Sequence, residues 1–285
     1  MFKNVRVEVW KATHNVYFYL AFVAGFILVL SNVYETYAAV TELTKNCIEA
    51  QNVGVPITNF NGCSLFVWWI ANNGINYGST YFYLIWPILA AMPFSWSYAQ
   101  EARSGCMYQY ITRGNRRSYF TAKYIAVFIS GGMVISIPVL ADLLLNAMIC
   151  PDDSLLFMNA LTTIENCSFL STLFYTHPWN YSIIWCVLEF LWGGAAAVLC
   201  FLAGTKLRFS VTAMLVPFSI FYVLGVLGES IVRITGTSLI LNPLYLAMSA
   251  PSGTNPGWLI FSIMGICILI PLISGYWRVE KNDFL

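Results

Sequence analysis

Apolar residues in this chain come in long unbroken runs rather than in alternation with polar ones. Six stretches, at about 16–38, 79–97, 119–147, 181–204, 209–231 and 257–277, each approach the roughly 20 apolar residues that a helix needs to cross hydrocarbon. The first stretch begins "NVYFYLAFVAGFILVLSNVY" and the last reads "WLIFSIMGICILIPLISGYW". Backbone polar groups in lipid must be satisfied within the segment or by a closed barrel. Continuous rather than alternating patterning excludes the barrel. The pattern therefore predicts an all-α polytopic membrane protein of six transmembrane helices. With no internal repeat and no linker, residues 1–285 read as a single membrane domain.

The flanking segments carry weaker periodicities. In "MFKNVRVEVWKATHN" Phe2, Val5, Val9 and Ala12 share one helical face with Arg6 on its edge, so residues 1–15 are expected as an interfacial helix. The rival reading is a strand through the alternating "VRVEV". Between the first two stretches, "CSLFVWWIA" is apolar but too short to span, and is expected to pack on the end of the bundle. After the fifth, "GESIVRITGTSLILNPLYLAMSAPSGTNPG" mixes Pro243, Pro251 and Pro256 with apolar residues, which suggests short re-entrant or interfacial helices. Glu229 and Arg233, four apart, can pair on a helix.

Composition and charge sharpen the picture. Hydrophobic residues make up 59% of the 285 and charged residues only 9%, against about 25% charged in a soluble domain, so most of the surface faces lipid. A net charge of +1 gives no ground for a nucleic-acid partner. Threading six spans puts Lys3, Arg6, Lys11, the cations from Arg103 to Lys123, Lys206, Arg208, Arg278 and Lys281 on one side. Only Lys45 and Arg233 fall on the other. By the positive-inside rule both termini are cytoplasmic and the protein is a multi-pass component of the cell membrane. The first apolar run exceeds the usual core of a signal peptide and reads as an uncleaved anchor.

On that topology Cys47, Cys63, Cys150 and Cys167 lie outside, and four cysteines allow three pairings. Pairing neighbours, Cys47 with Cys63 and Cys150 with Cys167, closes loops of similar size, each worth about 3 kcal/mol in the chain-entropy model. The competing reading is four thiols.

Five of the fourteen Lys and Arg fall within "SYAQEARSGCMYQYITRGNRRSYFTAKY", residues 97–124. Ala99, Ala102, Cys106 and Tyr110 recur at helical spacing. Gly114 is placed to stop that helix, and Asn115 or Ser118 to start the next. The stretch reads as a short amphipathic helix beneath the membrane, joined stiffly to two spans. Its cations can anchor to anionic headgroups, whereas the helix carrying Glu101 and Gly105 suits docking of a soluble partner.

Six spans, an N-terminal interfacial segment and the intracellular "E…G……TRGNRRSY…K" loop resemble the permease subunits of ATP-binding-cassette (ABC) transporters of the type-2 exporter family. "LILNPLYLAM" is similar to that family's outer segment before the last span. The resemblance implies that the loop is a coupling helix, with Glu101, Gly105, Thr112, Arg113, Arg116, Arg117 and Lys123 at or beside the ATPase contact. It implies two copies of an ATPase partner, with ATP and magnesium bound there, and a homodimer of the chain itself. Spans two and five would line the central pathway, bringing in Tyr83, Trp86, Pro87, Phe94, Phe218 and Tyr222. Pro87 and Pro93 would bend the second span.

The remaining chemistry is sparse. No G-x-x-x-x-G-K-[ST] phosphate loop is present, and "AGTKLRFS" lacks its spacing; on the permease reading a second polypeptide supplies ATP hydrolysis, and the absence equally suits a transporter not driven by ATP. Glu189 lies inside the fourth span, where a carboxylate costs roughly 2.5–3.5 kcal/mol or more. It reads either as a pathway group or as a protonated acid bonded between helices. Asp142 and Glu35 read as interfacial. Gly193, Ala197 and Gly204 offer a face for close helix packing. With only His14 and His177 there is no zinc motif, "GTSLI" is no nucleophile elbow, and no catalytic or metal residue is assigned. The expected function is export of an amphipathic peptide, toxin or antimicrobial, with drugs or lipids as alternatives. An ion-coupled secondary transporter using Glu189 is the competing class.

Overall fold

The computed structural model describes residues 2–53, 64–97, 100–101, 104, 116–152, 164, 168–205, 207, 209–237, 239–249 and 255–281. Ten helices are formed among them: α1 (Phe2–Thr13), α2 (Val16–Asn52), α3 (Leu65–Trp68), α4 (Tyr77–Ala91), α5 (Arg116–Asn146), α6 (Ser171–Thr176), α7 (Pro178–Gly204), α8 (Ser210–Thr235), α9 (Pro243–Leu246) and α10 (Gly257–Lys281). No strand forms among the described residues. Five helices, α2, α5, α7, α8 and α10, are long and apolar enough to cross a membrane. That is the architecture of a multi-pass helical membrane protein. The end bearing Arg6, Lys11, Arg117 and Lys123 is called basal below, and the opposite end apical.

The expected second span is the exception. Helix α4 has only 15 residues, about 22 Å at 1.5 Å per residue, short of the roughly 30 Å of hydrocarbon. It ends in turns over 92–96, where Pro93 supplies no N–H to carry the ladder past Met92, although Met92 itself keeps helical dihedrals. The Pro93 carbonyl accepts instead from Asn15 Nδ2 at 3.3 Å. Pro87, by contrast, stays inside α4 and is buried. The first span overshoots: α2 continues for 37 residues, so part of the expected apical loop at 39–78 is helix.

Helices α5 and α7 form the centre. They approach so closely that a Cβ on Gly131 would lie 2.4 Å from the Ala197 Cβ, and one on Gly193 would lie 2.7 Å from the Gly131 carbonyl oxygen. The small-residue face expected through Gly193 and Ala197 is this contact. Around it, α2 packs on α5 and α4, α4 touches both central helices, α8 packs on α7 and α4, and α10 packs on α7 and α5.

Two apical segments fold into the bundle rather than over it. Residues Leu65 to Ala71 are all buried, and Trp69 Nε1 donates to the Val139 carbonyl at 3.0 Å. Asp142, expected at the interface, is fully buried beneath them. Its Oδ2 accepts from the Ile70 N–H at 2.7 Å and from Asn146 Nδ2 at 2.9 Å, and its Oδ1 accepts from Asn32 Nδ2 at 2.9 Å. These charge-assisted bonds stabilise an acid that would otherwise be costly to bury. The second segment, around α9, is tied to the first by Ser249 N–H donating to the Ala71 carbonyl at 2.8 Å. Trp185 Nε1 donates to the Ala247 carbonyl at 3.0 Å. Glu35 caps the start of α4, accepting from the Tyr77 N–H at 2.8 Å and the Gly78 N–H at 3.2 Å. Glu229 accepts from Asn242 Nδ2 at 3.3 Å.

Cys47 carries a free thiol on the α2 extension, and Cys150 is buried just past the end of α5. Their candidate partners Cys63 and Cys167 lie outside the described residues.

Candidate functional site

The N-terminal segment is a helix, as its apolar face predicts, but that face carries an acid. Residues 5, 8, 9 and 12 lie on one side of α1, and Glu8 is buried there with Ala12. Facing it on α5 is Lys123, with a relative exposure of 0%. The Lys123 ammonium lies 3.3 Å from Glu8 Oε2 and 2.5 Å from Glu101 Oε1. Glu8 in turn holds Lys11 at 2.8 Å, and Tyr119 OH donates to Glu101 Oε2. The rings of Phe94 and Tyr119 stand 5.0 and 5.5 Å from the ammonium, within cation–π range. A lone buried ammonium would be prohibitive; two carboxylates and two aromatic faces make this one tenable. The result is a basal clamp. It ties α1, the end of the 92–101 segment and α5 to one another through a single side chain.

Of the residues that the resemblance implies lie at or beside a partner contact, Glu101 and Lys123 meet in this clamp. Lys123 is inside it and reaches no outer surface, so its part is to position Glu101. Arg117 is exposed on the first turn of α5. Arg116 begins α5, with its side chain outside the described residues, as are Gly105, Thr112 and Arg113. Glu8 is the residue that sequence reasoning missed. Its signal was an acid at i+3 from Val5 and i−4 from Ala12, in the middle of an apolar stripe. Beside the clamp, an open groove of about 740 Å³ separates Gln100 and Ser104 from Val211 and Met214 at the start of α8, with Tyr17 and Trp96 along its side.

A second constellation lies in the bundle core. Tyr83 and Trp86 share one face of α4 at i, i+3, and Glu189 and Trp192 share one face of α7 at the same spacing. Tyr83 OH donates to Glu189 Oε1 at 2.5 Å, and both side chains are buried. One turn towards the base, Trp86 and Trp192 meet edge to face at 6.1 Å. Phe221 of α8 closes the layer, 5.5 Å from Trp86 and 6.4 Å from Trp192. Glu189 Oε2 and the indole Nε1 of both tryptophans have no hydrogen-bond partner among the described residues.

The residues expected along a pathway thus divide. Tyr83, Trp86, Pro87 and Glu189 gather in or beside this layer, whereas Phe94 belongs to the basal clamp. Phe218 is half-buried and Tyr222 exposed, stacked on each other at 6.0 Å; Phe221 is the α8 residue that enters the core. Among the described residues no group of three His, Cys, Asp or Glu side chains is placed to hold a metal ion.

Compared with protein-family models, with curated proteins and with solved structures, the chain finds no match.

Proposed function

We propose that this chain is the membrane-spanning permease subunit of an ATP-driven exporter of the ABC type-2 kind, driven from its basal side by separate ATPase subunits. The basal clamp is the observation that carries the reading. A partner that pushes on the segment around Glu101 acts, through Lys123, directly on α5 and α1. These are the elements whose displacement would reach the tightly packed α5–α7 pair. The groove between Gln100 and Val211 leaves α8 room to shift in response. The two ATPase copies hydrolyse ATP with magnesium, and the chain works as a homodimer with both termini in the cytoplasm of the cell. The exposed Tyr222 of α8, with the half-buried Phe218 stacked on it, faces the second copy or the lipid. Amphipathic peptides fit the aromatic core best as cargo, ahead of drugs and lipids.

Vesicle transport tests this reading. Export that stops without ATP and survives collapse of the proton gradient supports it. Export abolished by collapsing the gradient at constant ATP overturns it. The latter result would favour the second reading, an ion-coupled transporter, for which buried Glu189 with its open oxygen is the specific motive. Glu101→Lys, which sets two cations against each other in the clamp, should abolish cargo-stimulated ATP hydrolysis. Unchanged coupling in that variant removes the clamp from the mechanism.

A further inference from the structure

We infer that the Glu189 layer is a recognition site for a cationic amino group on the cargo, closed here by Phe221. This inference rests on the permease reading and names the charge that its cargo carries. A carboxylate inside a membrane helix is normally neutralised by a basic neighbour or saturated with donors. Glu189 has neither. Tyr83 serves Oε1 at 2.5 Å, and nothing among the described residues serves Oε2. Among the described residues, the ion pairs formed by lysine all lie in the basal clamp, none of them with Glu189. Cys186, Tyr83 and, beyond Tyr83, Asp142 are the other titratable groups nearby, and none of them carries positive charge. The cation that this site lacks is left for a guest to supply.

The surroundings specify the guest further. Trp86, Trp192 and Phe221 are rings whose faces attract a cation. The two indole N–H groups, buried and without acceptors, call for a carbonyl. One acceptor for an N–H donor, two donors for a carbonyl and three aromatic faces together suit an ammonium group followed by a carbonyl, as at the amino terminus of a peptide. Access requires Phe221 to withdraw. Pro217 lies four residues before it in α8, where a missing backbone hydrogen bond eases bending. Pro87 does the same beside Trp86 in α4. Helix α8 is also one of the least buried spans.

The test uses the full chain in lipid nanodiscs without any ATPase, titrated with phenylalaninamide and with N-acetylphenylalaninamide, empty nanodiscs serving as blanks. Saturable binding of the ammonium form is expected, at least about tenfold tighter than that of its acetylated analogue. Glu189→Gln should erase that preference and leave the weak binding of the acetylated form in place. Glu189→Asp, which keeps the charge, should retain part of the preference and covers the case in which the glutamine variant misfolds. Trp86→Phe and Trp192→Phe keep a ring but lose the N–H, and should weaken both ligands several-fold. Equal affinities for the two ligands, an undiminished preference in Glu189→Gln, or no saturable binding each overturn the inference. Because no ATPase is present, failure here leaves ATP dependence in vesicles to be judged separately.

Discussion

Replacing Lys123 with methionine probes the basal clamp at its centre. The substitution keeps the length of the side chain and removes the charge. Glu8, with a side chain 5% exposed, would keep Lys11 at 2.8 Å. Glu101 would keep the Tyr119 hydroxyl and lose its ion pair, with 21% of its side chain in contact with solvent. Breaking a buried ion pair from one side typically costs 3–5 kcal/mol. Lys11 and the partial exposure of Glu101 place this case at the low end, about 3 kcal/mol. At roughly 2 °C or more per kcal/mol for a chain of this size, the melting midpoint in detergent should fall by about 6 °C. Adding Glu8→Gln and Glu101→Gln to Lys123→Met removes the stranded charges and should restore most of that loss. Thermal unfolding followed by fluorescence measures both. A single variant within about 1 °C of the parent, or a triple variant less stable than the single, would refute the reasoning that the clamp is held by compensated charge.

Other consequences can be checked alongside. Gly193→Ala places a methyl 2.7 Å from the Gly131 carbonyl and should destabilise the α5–α7 contact by about 1–3 kcal/mol, seen as a lower midpoint and broader size-exclusion profile. Asp142→Asn turns an acceptor of three hydrogen bonds into an amide facing donors. It should cost about 2–3 kcal/mol and expose the 64–76 segment to protease. For topology, Met148→Cys, 83% exposed at the apical end, should react with an impermeant maleimide in intact cells. Phe209→Cys, 67% exposed at the basal end, should react only after permeabilisation. Reaction of Phe209→Cys in intact cells, with Met148→Cys reacting only after permeabilisation, would reverse the orientation drawn from the cations.

Much of the fold was legible because lipid imposes a single pattern. The runs that became α2, α5, α7, α8 and α10 needed only length and apolarity to be found. Helix α4 was overextended because apolar character continues through Met92 to Trp96, while Pro93 breaks the backbone regardless of hydropathy. The burial of Asp142 was illegible for a different reason. Its position near a span end suggested the interface, and only the long-range docking of Leu65–Ala71 over it supplies the Ile70 N–H and removes water. At the basal end, Lys123 was visible as part of a basic cluster. The partner that draws it inward, Glu8, lies more than a hundred residues away on an element whose alternation offered two readings. The Glu189 layer was half visible: the acid stood out against its apolar span, whereas Trp192 and Phe221 looked like any other aromatic residue in a membrane helix.

We propose that force enters this bundle from a nucleotide-hydrolysing partner gripping the segment clamped by Lys123. The direct measurement is affinity purification of the full chain from its native membrane, followed by assay of cargo-stimulated ATP hydrolysis with and without Lys123→Met. A co-purifying ATPase is expected, its stimulation lost in the variant while its association with the chain persists. A chain that transports cargo as a stable unit with no nucleotide-hydrolysing subunit attached would contradict it.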